Sequence, residues 1–207
     1  MRAEQYDNAV RIYGGLSEKD PKNADLLFRL GETYRRKGDL NSAIEKFRAA
    51  GQAAPNNPSP LLALSLLMEG TGKRDQAKPI YEQILKIQPD QAVALNNLAF
   101  LKAEEGIDLD QALTMAQRAR QKEPNSDDIA DTLGWIYIKK NLSEDAVRLF
   151  SELIVKAPKN PIYRYHFGMA LMQKGDRNAA KRELSLALQS NPSAEEKVKI
   201  EDLLKKL

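Results

Sequence analysis

Bulky and small apolar residues recur along the chain at spacings that place them on single helix faces. A bulky residue directly precedes a small one at Leu30-Gly31, Leu64-Ser65, Leu98-Ala99, Leu133-Gly134 and Phe167-Gly168. A large residue follows three positions after the small one at Tyr34, Met68, Tyr137 and Leu171. An alanine precedes a large residue by four positions at Ala9-Tyr13, Ala43-Phe47, Ala77-Tyr81, Ala146-Phe150 and Ala180-Leu184. Because residues three and four apart share a helix face, the pattern predicts pairs of amphipathic helices.

The same pattern is an internal repeat. Prolines separated by 34, 34, 35, 34 and 34 residues stand at Pro21, Pro55, Pro89, Pro124, Pro158 and Pro192. Alanines with the same five intervals stand at Ala9, Ala43, Ala77, Ala112, Ala146 and Ala180. Two residue types therefore share one period and one inserted residue, which lies between Pro89 and Ala112.

Residues that favour helix ends occur where the pattern changes from one helix to the next. The first helix of each unit is expected to end at Gly38, Gly72, Gly106, Asn141 or Gly175, since glycine and asparagine tolerate the left-handed conformation. Asp39, Asp108 and Asp176 are expected to cap the second helices. The small residues allow close approach of the two helices, so each unit is predicted to be an antiparallel hairpin.

Residues 26–55 and 131–158 resemble the tetratricopeptide repeat family in their Leu-Gly, Tyr, Ala, Phe, Ala and Pro positions. The resemblance implies an all-α fold, a right-handed superhelical solenoid of antiparallel helix pairs. We expect one solenoid domain over residues 1–207. Its parts are a half-repeat at 1–23, full repeats at 24–57, 58–91, 92–126, 127–160 and 161–194, and a capping helix at 195–207. Ser193 and Glu196 form the expected capping box of that last helix.

The half-repeat carries a second helix without a first one. Because a natural chain seldom starts halfway through a hairpin, we expect the sequence to be part of a longer protein that supplies the missing helix upstream. Residues 95–106 and 131–140 resemble bacterial members of the family, some of which work at the cell envelope.

The middle repeat departs from the pattern. Lys102 replaces the large residue of its first helix, Ala116 replaces the aromatic residue of its second helix, and residues 106–110 contain the insertion. Two interpretations stay open: a local repacking in which Lys102 extends to solvent, or a softer joint in the solenoid. Pro79, inside a second helix, is expected to kink that helix slightly.

Residue types that carry catalysis are scarce. The chain has no cysteine and one histidine, so disulfides, thiolate nucleophiles and HExxH zinc sites are excluded. His166 is expected to be satisfied or to line a groove. Residues 70–73, GTGK, lack the spacing and the Ser/Thr of a phosphate loop and read as a helix-ending turn. We therefore predict no enzyme activity, no cofactor and no metal.

Charge and hydropathy restrict the partners and leave the compartment open. The net charge is +3, and acids and bases alternate along most helices, so no nucleic-acid partner is expected. No apolar run approaches the roughly 20 residues of a membrane span, and the first ten residues lack the apolar core of a signal peptide. These features are compatible with a soluble protein of either the cytoplasm or the periplasm.

The family resemblance implies a concave groove lined by the first helices. The register places in it Phe28, Glu32, Arg35, Arg36, Leu62, Leu66, Asn96, Phe100, Asp131, Trp135, Lys139, Tyr165 and Met169, with Glu69, Glu104 and Gln173 in equivalent places. Trp135 is the predicted main anchor, and Asn96 is suited to bond a peptide backbone. Chaperone receptors of the family grip a terminal carboxylate with polar residues where this chain has Phe28 and Leu62, which argues against that ligand.

The predicted function is a protein–protein interaction scaffold or adaptor that binds a partner peptide or helix in this groove. The alternative is a structural self-assembly element, a homo-oligomer in which the groove or the open half-repeat takes up another copy.

Overall fold

The computed structural model describes residues 2–207, and over this range the chain forms twelve α-helices and no strand. The helices are α1 (Arg2–Lys19), α2 (Ala24–Lys37), α3 (Leu40–Ala53), α4 (Pro58–Gly70), α5 (Arg74–Ile87), α6 (Ala92–Glu105), α7 (Leu109–Lys122), α8 (Asp127–Lys139), α9 (Ser143–Lys156), α10 (Pro161–Lys174), α11 (Arg177–Gln189) and α12 (Ala194–Leu204). Each predicted full repeat contains two of them, so the predicted all-α fold of helix pairs is confirmed.

The chain divides into two compact units. The N-terminal unit ends at Ala94, and the C-terminal unit extends from Leu95 to Leu207. In the N-terminal unit α1 packs on α2, α2 on α3, α3 on α4 and α4 on α5. In the C-terminal unit α8 packs on α7, α9 and α10, and α11 packs on α10 and α12. Consecutive packing of this kind is the pattern of a repeat protein, in which each helix pair contacts its neighbours.

The small residues of the first helices make room for the large residues of the second helices. A Cβ atom added to Gly31 would lie 2.7 Å from the Phe47 ring, and one added to Gly134 would lie 2.5 Å from the Phe150 ring. Phe47 and Phe150 are fully buried. The predicted close approach of the two helices is therefore confirmed, and the absent side chain is what permits it.

The predicted helix ends are confirmed with one exception. All five expected C-terminal positions have positive φ: Gly38, Gly72, Gly106, Asn141 and Gly175. The side chains of Asp39 and Asp176 accept bonds from the backbone amides of Ser42 and Ala179, and Ser193 and Glu196 form the expected capping box. The α5 helix continues through Pro79.

The exception is Asp108 in the middle repeat, whose side chain pairs with Lys102 instead of capping a helix. Asp108 precedes α7 but its side chain caps no backbone amide. Its carboxylate instead accepts a 2.9 Å bond from Lys102 Nζ. Lys102 is 8% exposed, so the expectation that it extends to solvent was wrong. Its ammonium group bridges α6 to the start of α7, because a buried charge requires a partner.

We predict that Gly134→Ala lowers the free energy of unfolding by about 1–3 kcal/mol, because the new methyl group overlaps the buried Phe150 ring. Urea unfolding followed by circular dichroism measures the change. Gly14→Ala is the control, since no atom lies within 4 Å of a Cβ at this helical position. It should stabilise the chain by up to about 1 kcal/mol through helix propensity. Equal losses in both variants would contradict the close-approach account.

We also predict that substituting Asp108 and substituting Lys102 have different effects on the free energy of unfolding. Asp108→Ala leaves the Lys102 ammonium buried without its partner and should cost about 1–2 kcal/mol of unfolding free energy, below the range for a fully buried pair because Asp108 is partly exposed. Lys102→Met places an apolar side chain there, as repeat two does with Met68, and should be neutral or stabilising. A loss of stability in Lys102→Met would contradict this account.

Candidate functional site

In the N-terminal unit the predicted groove residues lie on the first helices α2 and α4. Glu32 accepts two bonds from Arg35, at 3.1 and 2.8 Å, and lies 4.0 Å from Arg36. The bond to Glu32 raises the pKa of Arg35. Glu32, Arg35 and Leu66 line one cavity of about 520 Å³. The Glu32 carboxylate thus has two guanidinium neighbours, and Leu66, which is 43% exposed, lines the same cavity as Glu32 and Arg35.

The two apolar residues that begin the predicted groove are half-buried. The ring of Phe28 lies 5.5 Å from that of Phe47, so it also covers the core of its own helix pair. Leu62 lies on α4 and is half-buried as well. A cavity of about 510 Å³ extends from Phe28 to Tyr6 and Tyr13 of α1. Phe28 therefore contributes to the core of its own helix pair and also lines this cavity.

In the C-terminal unit, aromatic rings gather around His166 of α10. Trp135 of α8 stacks on the imidazole with ring centroids 5.1 Å apart and an interplanar angle of 29°. Phe150 and Tyr165 lie at 5.5 and 5.6 Å from the same ring. We call these four residues the His166 cluster. Trp135 and Tyr165 were predicted from the register, and their half-buried rings form an apolar surface on two neighbouring first helices.

Polar bonds hold the His166 cluster in place. The Nδ1 atom of His166 lies 2.7 Å from Oδ1 of Asp131, on the neighbouring first helix, as expected for a satisfied histidine. Lys139 Nζ lies 4.6 Å above the Trp135 ring and 3.9 Å from Glu104. The sequence contained a signal for the contact between His166 and Asp131. His166 follows Asp131 by 35 residues, which is one 34-residue repeat plus one position.

The remaining predicted residues divide between surface and interior. Phe100 and Met169 are half-buried on α6 and α10. Asn96 is only 9% exposed, so its amide lies inside the fold in the unbound chain. Its Nδ2 donates to Asn97 Oδ1, 3.0 Å away. Glu69 accepts a hydrogen bond from the buried hydroxyl of Tyr81, and Gln173 Nε2 donates to the carbonyl oxygen of Ile138 at 3.0 Å.

Burial favours the protonated form of both phenols of α10. It raises the pKa of Tyr163 to about 12, with smaller contributions from Asp131, Asp128 and Asp127. Burial also raises the pKa of Tyr165. Both hydroxyls are therefore neutral at physiological pH.

Within residues 2–207, no set of three or more His, Cys, Asp or Glu side chains is placed to hold a metal ion. No helix in that range combines the length and the apolar character needed to cross a bilayer. The arrangement supports binding through an apolar surface with paired charges beside it.

Two curated relatives show how the chain compares with longer proteins. A TPR repeat-containing protein of Pseudomonas aeruginosa is 21% identical over 163 residues, which cover 78% of this chain and 28% of that protein. Superkiller complex protein 3 of Mus musculus is 26% identical over 98 residues, which cover 47% of this chain and 6% of that protein. The chain therefore spans less than a third of either relative.

Solved structures share the fold at low identity. YrrB, described as a TPR protein with an unusual peptide-binding site, gives a TM-score of 0.75 at 15% identity, with 94% of this chain and all of that chain covered (100%). MamA of Desulfovibrio magneticus gives 0.70 at 18% identity, with 83% and 96% covered. Three tetratricopeptide repeat models match residues 1–58, 34–99 and 163–193. With its 34-residue helix pairs and small-to-large core contacts, the chain belongs to the tetratricopeptide repeat family.

Proposed function

We propose that this chain is a protein–protein interaction scaffold that binds a segment of a partner protein on its first-helix faces. Proteins built from these repeats are typically non-enzymatic scaffolds that present extended binding surfaces. The strongest support lies in the C-terminal unit, where Phe100, Trp135, Tyr165 and Met169 present half-buried apolar side chains on three first helices.

The observation that carries the proposal is the His166 cluster with its neighbours. The buried core of the helix pair is made by residues such as Leu133 and Phe150, and Phe150 is the fully buried member of the cluster. Trp135 packs beside two such cores and keeps part of its ring accessible. Aromatic rings that are preorganised and half-exposed are typical anchors of protein interfaces.

We predict that Phe100→Ala and Trp135→Ala each weaken partner binding by about 2 kcal/mol or more, because each removes an anchor ring. Peptides selected from a twelve-residue display library against the whole chain provide the ligand, and calorimetry measures the affinity. Circular dichroism must show unchanged helicity. Because Trp135 also packs against the core, Phe100→Ala is the decisive variant if Trp135→Ala loses helix.

The matched control is Val155→Ala on the second helix α9. Val155 is 82% exposed, more than any other large apolar residue of the described chain, and it lies on a different helix face. Its truncation should leave peptide affinity unchanged. If Val155→Ala weakens binding while Phe100→Ala does not, the binding surface is on the second helices and the proposal is wrong.

A second function, self-assembly, is favoured by the open face of α1. Ala43, Phe47 and Ala50 of α3 are fully buried by their paired helix. The residues one repeat earlier, Ala9, Tyr13 and Leu16 of α1, are half-buried or exposed, and Leu16 is 44% exposed. A helix from another copy would cover them.

Sedimentation velocity at increasing protein concentration tests this second function. Self-assembly predicts a sedimentation coefficient that rises with concentration and returns to the monomer value in Leu16→Glu, which puts a charge on the contact. Val198→Glu on α12, where the replaced side chain is 57% exposed, is the control and should behave like the wild type. A monomer at every concentration would exclude self-assembly.

A further inference from the structure

Two neutral polar atoms of the C-terminal unit are buried without a hydrogen-bond partner. They are Oδ1 of Asn96, an acceptor, and Nε1 of Trp135, a donor, and within the described residues they are the only buried side-chain atoms in this condition. Leaving such an atom unpaired in the interior destabilises the fold. The chain pays this penalty twice on neighbouring repeats, so each atom requires an explanation.

Packing alone requires neither atom. One repeat after Asn96 stands Asp131, whose carboxylate is satisfied by His166. One repeat before and one repeat after Trp135 stand Phe100 and Met169, which fill the equivalent place without any N–H group. The packing of the repeat therefore requires neither the indole N–H of Trp135 nor the side-chain carbonyl oxygen of Asn96.

We propose that these two atoms recognise the main chain of the partner segment by hydrogen bonding, which we call main-chain reading. The Trp135 indole N–H donates to a peptide carbonyl oxygen, and the Asn96 carbonyl oxygen accepts from a peptide N–H. The peptide bond supplies both complementary groups and is neutral, as the two protein atoms are. This inference rests on the proposed function and adds the chemical group that is recognised.

The charges on this face support a neutral ligand. Asp131 lies 2.7 Å from the imidazole of His166, Lys139 is paired with Glu104 and, on α12, Lys199 is paired with Glu195 at 2.6 Å. A charged partner side chain would compete with these existing contacts. We therefore expect main-chain bonds and apolar contacts to determine affinity, with little dependence on salt.

Binding on this scheme includes a side-chain rotation. Both atoms are shielded from water in the unbound chain, so the Asn96 amide and the Trp135 indole must turn to meet the partner segment. The gain of two bonds for previously unpaired groups compensates for the rotation. Because Trp135 is the only tryptophan of the chain, its emission reports the change directly.

The test uses peptides selected from the display library as probes, each synthesised with single N-methyl groups along its backbone. One N-methyl position should weaken binding to the wild type about five- to tenfold, because it removes the N–H that Asn96 accepts. The same peptide should lose less than twofold on Asn96→Ala, since the bond is already absent. Trp135→Phe keeps an aromatic ring and lacks the N–H, so it should weaken the unmodified peptide by a similar factor.

A matching cycle tests the tryptophan. A peptide with an ester in place of one amide has a weaker carbonyl acceptor, and its loss of affinity on the wild type should largely disappear on Trp135→Phe. Tryptophan emission should shift when the unmodified peptide binds the wild type. Affinity should change less than threefold between 50 and 500 mM NaCl, as expected for neutral recognition.

The outcomes separate the two proposals. If Phe100→Ala weakens binding but the N-methyl and Asn96→Ala effects are additive, main-chain reading is wrong and the first-helix binding surface stands. Affinity that falls more than tenfold with salt would likewise overturn main-chain reading, since it would show recognition of charge. A library that yields no binder, or binders indifferent to Phe100→Ala, overturns the proposed function and this inference together.

Discussion

The close approach of the two helices in each pair is the constraint on which the rest of the structure depends. Gly134 lacks a side chain because the Phe150 ring occupies that space, and Gly31 stands in the same relation to Phe47. A single large ring therefore completes the core of a pair with very few residues. The outer face of each first helix therefore does not have to fill the core of its own pair.

The chemistry of the outer first-helix faces differs between the two units. In the N-terminal unit Glu32 pairs with Arg35 and lies near Arg36 within one helix, and an exposed Leu66 lines the same cavity. In the C-terminal unit polar contacts join different helices, with Asp131 bonded to His166 and Trp135 stacked on its ring. Only the second arrangement fixes aromatic rings across repeats, which is why it is the stronger candidate for binding.

The middle repeat shows that the same hairpin tolerates another solution. Ala116 contributes no large ring, and Lys102 contributes a buried stem with an ammonium group. Asp108, in the segment that contains the insertion, pairs with that group, so the side chain expected to cap α7 is used between helices. The fold thus retains the helix pair by replacing an apolar contact with a charged one, which supplies specificity more readily than stability.

The sequence by itself determined the helix pairs, their ends, and the register that places Trp135, Phe100 and Tyr165 on first helices. It could do so because a 34-residue period, small-to-large pairs and capping residues are local or strictly periodic properties. The tertiary structure alone decided that Lys102 is paired and buried, that Asn96 is inside, and that the Trp135 N–H lacks a partner. These outcomes depend on side-chain distances of about 3 Å between separate helices, which periodicity does not specify.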